Sequence, residues 1–126
     1  PVGKIPDGEQ VRQLIQEEER PWGKFRSYPH RLASSLKIIT VNPGGLLSLQ
    51  YHRHRSEYWI ILDAGLEITL GSKTWQPQPG EEIFIPAGTP HRLRGLGPGP
   101  ARVMELWLGD SGEDDIVRLD DIYGRD

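Results

Sequence analysis

From Trp22 onward the chain is a series of short β-rich runs separated by turn sequences, and this pattern limits the fold more than any other feature. The runs include SLKIITV, EYWIIL, LEITLG and ARVMELWLG, and the turns include NPGG, GSK, QPQPG and PAGTP. Gly and Pro number 15 and 11 among 126 residues, so turns are frequent and elements are short. Many short strands spaced by roughly 8–12 residues are typical of a sandwich or barrel. We therefore predict an all-β domain in which GSK closes a hairpin and the segment 112–126 adds a last strand.

The N-terminal segment carries the one helical pattern. Asp7 is placed to cap a helix, and Gln10 three residues later completes a variant of the capping box. A narrow apolar stripe follows, formed by Val11, Leu14 and Ile15. Pro21 ends the pattern, so we expect an amphipathic helix over Asp7–Arg20. The predicted organisation is one domain over 1–126, with a helical segment over 1–21 and the barrel and tail over 22–126.

Charge and composition exclude several classes of protein. The net charge of −3 provides no basic surface for nucleic acid. The longest apolar runs are too short to cross a bilayer, and the chain does not begin like a secretory signal, so we expect no membrane partner. The absence of cysteine excludes thiolate metal sites and fits a cytoplasmic location. Any metal must therefore be bound by histidine, carboxylate or amide oxygen.

The stretch LQYHRHRSE concentrates groups that bind metals. In an extended strand His52 and His54 share one face with Gln50, and Glu57 follows just beyond. The same alternation would place Arg53 and Arg55 on the opposite face. A bare His-x-His pair is more often a surface or hydrogen-bonded core feature than a metal site. The nearby carboxylate changes that balance, because imidazole and carboxylate together suit Zn, Mn, Co, Ni or Fe.

A second stretch, GEEIFIPAGTPHRLRG, places one more histidine after a rigid corner. His91 follows the Pro-x-Gly turn at Pro86 and Gly88, where the backbone has little freedom. A side chain held in this way is preorganised to bind a ligand. The candidate metal ligands are therefore His52, His54, Glu57 and His91.

These two stretches resemble the signature motifs of the cupin superfamily. Gly80, Pro86, Gly88 and His91 fit the second motif without gaps, whereas Glu57 comes sooner after His54 than in the general first motif. ERPWG, LKIITVNPGGLLSLQYHRHRSEYW, IPAGTPHRL and GEDDIVRLDDIYGR resemble, in order, the type II mannose-6-phosphate isomerase domain. In many bacteria that domain is the C-terminal part of a bifunctional enzyme with mannose-1-phosphate guanylyltransferase. No nucleotide-binding loop occurs in this sequence, so we expect a stand-alone isomerase domain.

The resemblance implies a cupin-type double-stranded β-helix, or jelly-roll barrel, with one divalent metal ion. It implies interconversion of mannose 6-phosphate and fructose 6-phosphate through an enediolate. The implied catalytic residues are Lys37, Glu105 and Arg118, the implied substrate-binding residues are Gln50, Tyr58 and Arg92, and the implied metal ligands are His52, His54, Glu57 and His91. Gln50 is an alternative to His54 in the metal site. The chain departs from the family where Tyr58 replaces a histidine and where Trp107 and Leu108 replace a glutamine-containing strand.

Two other functions stay open at this point. A non-catalytic sugar-phosphate-binding cupin that partners a guanylyltransferase would explain the departures at Tyr58 and Trp107. A cupin dioxygenase would use a similar ligand set with non-haem iron, although the many Arg and Lys residues favour an anionic sugar. An exposed sheet edge is a liability that pairing removes, so we also expect a homodimer with the Asp7–Arg20 helix near the interface.

Overall fold

The computed structural model describes residues 4–125, and strands dominate this part of the chain. A single α-helix and a single 3-10 turn occur within it, α1 (Gly8–Leu14) and His30–Leu32. The strands are β1 (Gln16–Arg20), β2 (Gly23–Ser27), β3 (Ala33–Val41), β4 (Leu49–Tyr51), β5 (Ser56–Ile61), β6 (Leu66–Leu70), β7 (Lys73–Trp75), β8 (Glu82–Ile85), β9 (His91–Gly95), β10 (Ala101–Leu108) and β11 (Val117–Asp120). The predicted all-β fold, the GSK hairpin and the last strand are confirmed. No helix among the described residues is long and apolar enough to cross a membrane.

Two antiparallel sheets make the barrel. One has the strand order β3-β10-β5-β8, and the other has the order β11-β4-β9-β6-β7. Inward residues from both sheets form one apolar cluster, which includes Trp59, Ile61, Val103, Ile68 and Leu93. Because this cluster joins the sheets, it holds the barrel together by the burial of apolar surface.

The inward face changes character along the strands. On β10 the inward residues run from Ala101 and Val103, which are apolar, to Glu105 and Trp107. Glu105 is opposite Trp59 on β5, and Trp107 is opposite Glu57. The barrel thus has an apolar end and a polar end built from the same strands.

The N-terminal helix packs on the outside of the four-stranded sheet. Val11 is fully buried there against Tyr58, Leu106 and Leu108. The predicted capping box is present, since the backbone N–H of Gln10 donates to the Asp7 carboxylate at 2.9 Å and the reverse bond is also 2.9 Å.

The helix is shorter than predicted. Residues Gln16–Arg20 form β1, which pairs with β2 in a hairpin. Glu17 contacts both Lys24 at 3.5 Å and Arg26 at 3.7 Å across that hairpin. A helix would instead have placed three consecutive glutamates in its last turn, where negative charge is unfavourable for the helix dipole. Opposite charges across two strands are favourable, so pairing overrides the weak helical pattern.

The strand predicted through LQYHRHRSE is also interrupted. β4 ends at Tyr51 and β5 begins at Ser56. Asp115 holds the intervening turn, because its carboxylate accepts the backbone N–H groups of Arg53 at 2.9 Å and His54 at 3.0 Å. The alternation of faces inferred from sequence therefore holds for Gln50 and His52 and fails for His54 and Arg55.

Candidate metal centre

Three of the predicted ligands meet at the polar end of the barrel. One ligand atom from each of His52, Glu57 and His91 lies within 4.8 Å of the others, and the three residues are 1–2% exposed. His52 comes from the turn after β4, Glu57 from β5 and His91 from the start of β9. Three different segments thus contribute one donor each to a single buried point.

The corner before β9 fixes two of these donors together. Gly88 has φ of 79°, a left-handed conformation that glycine adopts without strain. Its backbone N–H donates to the carbonyl of His52 at 2.7 Å. The turn that positions His91 is therefore tied directly to the segment that carries His52.

Backbone carbonyls set the tautomer of both histidines. Nδ1 of His52 lies 2.6 Å from the carbonyl oxygen of Asp115, and Nδ1 of His91 lies 2.9 Å from that of Thr89. A carbonyl can only accept, so each Nδ1 carries the hydrogen. Burial lowers the pKa of both imidazoles, which favours their neutral form. Each ring therefore presents the lone pair of Nε2 to the centre of the cluster.

Glu57 supplies the negative charge of the cluster. Burial alone would raise the pKa of Glu57, but neighbouring groups, among them the Arg55 guanidinium, lower it by more. One carboxylate oxygen accepts the indole N–H of Trp59 at 2.9 Å, and the other accepts Nε–H of Arg55 at 2.8 Å. The carboxylate is thereby oriented between the two imidazoles.

The arrangement of acceptors fits a cation. Nε2 of His52 lies 3.1 Å from a carboxylate oxygen of Glu57, although both atoms are acceptors in these tautomers. Nε2 of His91 is buried, has no hydrogen-bond partner in the described part of the chain, and lies 3.8 Å from Glu57. Unpaired buried acceptors are costly. A divalent ion bound by all three residues would give Nε2 of His91 a partner and offset the repulsion between Nε2 of His52 and the Glu57 carboxylate. This donor set suits Zn, Mn, Co, Ni or Fe.

His54 does not join this cluster. Its side chain is exposed, because the turn held by Asp115 directs it away from the barrel interior. Gln50 lies closer, with its amide nitrogen 3.5 Å from Nε2 of His52 and its amide oxygen accepting from Ser48 at 2.6 Å. Of the two predicted alternatives, the structure places Gln50 beside the cluster.

A cavity of about 140 Å³ adjoins the cluster. Residues predicted to act in catalysis or substrate binding line it together with His91, namely Lys37, Gln50, Arg92, Glu105 and Arg118. Lys37 lies 3.0 Å from Glu113 and 4.1 Å from the centre of the Trp107 ring. Arg92 donates to the carbonyl of Leu47 at 3.1 Å and contacts Asp120 at 3.3 Å. The cavity wall is therefore rich in cationic groups.

Glu105 is the titratable group with the most unusual environment in this wall. Burial raises its pKa to about 8, with a further contribution from the charge of Glu57. The indole N–H of Trp107 donates to its carboxyl group at 2.6 Å. Near neutral pH this residue can therefore both hold and release a proton.

Tyr58 lies on the outer face of the four-stranded sheet, away from this cavity. It follows Glu57 directly on β5, so its side chain points to the outer face of the sheet. There its hydroxyl donates to Glu82 at 2.7 Å, and its ring packs with Val11 and Leu106. The predicted contact between Tyr58 and a substrate in this cavity is not supported by its position.

Sequence reasoning missed Arg55, which is 4% exposed and lies inside the site. Its guanidinium carbon is 3.5 Å from the centre of the Trp107 ring, so Trp107 forms part of the same wall. The available signal was the position of Arg55, two residues before the ligand glutamate and next to a buried strand. The assumption of an unbroken strand placed it on the opposite face.

The sequence is similar to a known protein family and to several bacterial biosynthetic proteins. The family described as "Mannose-6-phosphate isomerase C-terminal" matches residues 7–121. The chain is 42% identical over 107 residues to xanthan biosynthesis protein XanB of Xanthomonas campestris and 41% identical over 107 residues to alginate biosynthesis protein AlgA of Pseudomonas aeruginosa. It is 44% identical over 105 residues to mannose-1-phosphate guanylyltransferase 2 of Escherichia coli O157:H7. These matches cover 82–84% of the chain but only 22–23% of the relatives' length.

Solved structures establish the fold independently. A protein with a double-stranded β-helix domain from Klebsiella pneumoniae aligns with a TM-score of 0.60 and 18% identity, over 71% of this chain and 77% of its own. A sugar phosphate isomerase of the cupin superfamily from Silicibacter pomeroyi aligns with a TM-score of 0.54 and 20% identity, over 60% of this chain and 50% of its own. The predicted cupin-type barrel with a short N-terminal helix is confirmed.

Proposed function

The chain belongs to the mannose-6-phosphate isomerase C-terminal family, and on this basis we propose that it is a metal-dependent aldose–ketose isomerase that interconverts mannose 6-phosphate and fructose 6-phosphate. The observation that carries the proposal is the convergence of His52, Glu57 and His91 next to a cavity lined by cations. An anionic sugar suits that lining, and an enediolate suits a nearby divalent ion.

His52, Glu57 and His91 would hold one divalent ion, with Gln50 as the nearest further donor. When bound, the ion would supply Lewis-acid stabilisation for negative charge on the sugar oxygens. Arg55 and Trp59 orient Glu57 through its two carboxylate oxygens, and the Asp115 and Thr89 carbonyls orient the imidazoles. Such outer contacts hold ligands in place.

Glu105 is the best-placed group for proton transfer. The isomerisation removes a proton from C2 of the sugar and delivers one to C1. A carboxyl group with a pKa of about 8 can take up and return that proton near neutral pH. Lys37 lines the same wall and would stabilise the ionised form of Glu105 while the proton is on the sugar.

Arg92 and Arg118 are the proposed phosphate-binding groups. Both line the cavity, and guanidinium groups match phosphate oxygens in geometry and charge. Asp120, which contacts Arg92, is 61% exposed in its side chain, so an incoming phosphate can compete with it for Arg92. Arg118 enters from β11, where it is opposite Gln50 on β4.

An isomerase assay tests the proposal. The purified protein is stripped of metal, reloaded separately with Zn, Mn, Co or Mg, and assayed for fructose 6-phosphate formed from mannose 6-phosphate. We expect turnover with at least one ion and its loss in Glu105→Gln. No turnover with any ion would reject the isomerase function.

A binding function is the second candidate, because the curated relatives extend far beyond this domain and one is a guanylyltransferase. Tight binding of mannose 6-phosphate without turnover would select a sugar-phosphate-binding partner of such an enzyme. The third candidate is a dioxygenase, since two histidines and one carboxylate also suit non-haem iron. Oxygen uptake by the iron-loaded protein would select it.

We also propose that this cupin domain acts in the cytoplasm and forms a homodimer. β3 is an edge strand whose outer face exposes Leu36 at 65% and Ile38 at 53%. A second copy covering this face would bury them, and the adjoining helix and hairpin would then lie near the interface. Light scattering at micromolar concentration tests this, and a monomer would contradict it.

A further inference from the structure

We propose that Arg55 competes with the divalent ion for the His52–Glu57 pair and thereby sets the metal affinity of the site. The inference rests on the metal-binding part of the proposed function and does not depend on isomerase activity. Arg55 is buried and directly contacts residues of the ligand cluster.

The guanidinium of Arg55 contacts two of the three candidate ligands. Its Nε donates to a carboxylate oxygen of Glu57 at 2.8 Å, and one terminal nitrogen lies 3.2 Å from Nε2 of His52. Because Nδ1 of His52 already donates to the Asp115 carbonyl, Nε2 accepts this bond from Arg55. Arg55 therefore supplies a positive charge and an N–H donor where a metal ion would supply a positive charge and a vacant orbital.

The two roles of His52 exclude each other. An imidazole nitrogen has one lone pair in the ring plane, so it can accept a hydrogen bond or bind an ion but cannot do both. A carboxylate oxygen has room for both, so the contact between Arg55 and Glu57 does not need to break. Binding of the ion must therefore displace one guanidinium arm, and the remaining guanidinium charge still repels the ion.

The protein holds Arg55 in this position from the other side. Its second terminal nitrogen donates to the Ser111 hydroxyl at 3.1 Å and to the carbonyl of Gly112 at 3.2 Å. The guanidinium also stacks on Trp107 at 3.5 Å. With these anchors the group cannot leave the site freely, so the competition with the ion persists.

A simple supporting role for Arg55 predicts the opposite result. If Arg55 only orients Glu57, removing it should weaken metal binding by about 10–100-fold. If Arg55 competes for His52, removing it should tighten binding. The sign of the change in affinity therefore separates the two roles.

The test is a titration of metal-stripped wild type and Arg55→Met with Zn²⁺, by calorimetry or competition with a chelator. We expect the dissociation constant of Arg55→Met to be lower than that of wild type, by up to about tenfold. Arg26→Met is the matched control, because Arg26 makes a similar fork to Glu82 at 3.0 and 2.9 Å on the outer face. Its zinc affinity should equal that of wild type.

Arg55→Gln keeps the inference testable if Arg55→Met does not fold. A glutamine carries no charge and is shorter than arginine, so it removes the guanidinium charge from the site, and the zinc affinity of this variant should also exceed that of wild type. Unchanged or weaker binding by the folded variant, while wild type binds zinc, overturns the competition and leaves the isomerase proposal standing. Absence of zinc binding by every protein, wild type included, overturns the competition, and the turnover assay with the other ions then decides the isomerase proposal separately.

Discussion

The two ends of the barrel share the same strands and differ in what those strands place inside. At the apolar end Ile61, Val103 and Leu93 are fully buried among other hydrocarbon side chains. Two to four residues further along the same strands, the inward positions carry Glu57, Glu105 and His91. Strand pairing holds both ends, so the polar end needs little packing of its own.

This division separates stability from chemistry. The apolar end buries surface that contributes to folding at any pH. The polar end contains an acceptor that has no partner among residues 4–125 and a carboxyl group with a pKa raised to about 8, both of which cost stability. The substitutions below test whether the two ends are as independent as this comparison implies.

The largest expected effect is the loss of metal binding in His91→Ala. The substitution removes one of three donors, so we expect zinc affinity to fall at least a hundredfold, well beyond the effect of an outer contact. The unfolding free energy of the metal-stripped protein should fall by only about 1–3 kcal/mol, because the buried ring loses the hydrogen bond from Nδ1 to the Thr89 carbonyl. Zinc titration and urea unfolding measure the two quantities.

His54→Ala is the matched control for that experiment. His54 is exposed and outside the cluster, so its removal should leave zinc affinity unchanged. A large loss of affinity in His54→Ala, or wild-type affinity in His91→Ala, would contradict the assignment of ligands.

At the apolar end, Ile61→Ala should lower stability and leave zinc affinity nearly unchanged, which is the opposite of the result expected for His91→Ala. Truncation of this buried side chain should lower the unfolding free energy by about 2–5 kcal/mol, through lost burial and the remaining cavity. Zinc affinity of the folded protein should stay within about twofold of wild type, since the change lies outside the ligand cluster. Urea unfolding and zinc titration at low temperature check both. A marked change in zinc affinity would show that the ends are coupled.

Glu105→Gln should change how stability depends on pH. In the folded protein Glu105 stays protonated up to about pH 8, whereas in the unfolded chain it ionises near its ordinary pKa of 4.5. The contribution of Glu105 to the stability of the metal-stripped protein should therefore fall as pH rises from about 4.5 to 8 and level off above that. The glutamine variant lacks this slope and should be more stable at pH 8 by roughly 2–4 kcal/mol. Urea unfolding across this range measures the slope.

Glu113→Gln is the control for the pH experiment. Its side chain is 83% exposed at the cavity mouth, where it pairs with Lys37. This variant should keep the wild-type slope. A Glu105→Gln protein that is as pH-sensitive as wild type would show that another group causes the dependence.

The smallest expected effect is that of Tyr58→Phe. The hydroxyl donates to Glu82 on the outer face, so its loss should cost about 1 kcal/mol of unfolding free energy. KM for mannose 6-phosphate should not change, because the side chain points away from the cavity. Steady-state kinetics check this, and a clear rise in KM would place Tyr58 in substrate binding after all.

Local patterns in the sequence were sufficient for most of the fold. The capping box at Asp7, the hairpin at GSK and the corner at Pro86 depend on residues close together in the chain, so spacing alone predicts them. The position of His91 after that corner was predictable for the same reason.

Contacts between segments explain the features that sequence reasoning missed. The turn that exposes His54 and directs Arg55 inward depends on Asp115, about 60 residues away. The helix ends early because Glu17 meets Lys24 and Arg26 on a paired strand. Local periodicity in the sequence does not reveal the contact with Asp115 or the pairing of Glu17 with Lys24 and Arg26.

X-ray absorption spectroscopy of the zinc-loaded protein tests the central claim most directly, because it reports the ligands of the ion. Two imidazole nitrogens and carboxylate oxygen around one zinc per chain are predicted, with the same spectrum in His54→Ala. A shell with fewer than two imidazoles, or one that changes in His54→Ala, would contradict a centre formed by His52, Glu57 and His91.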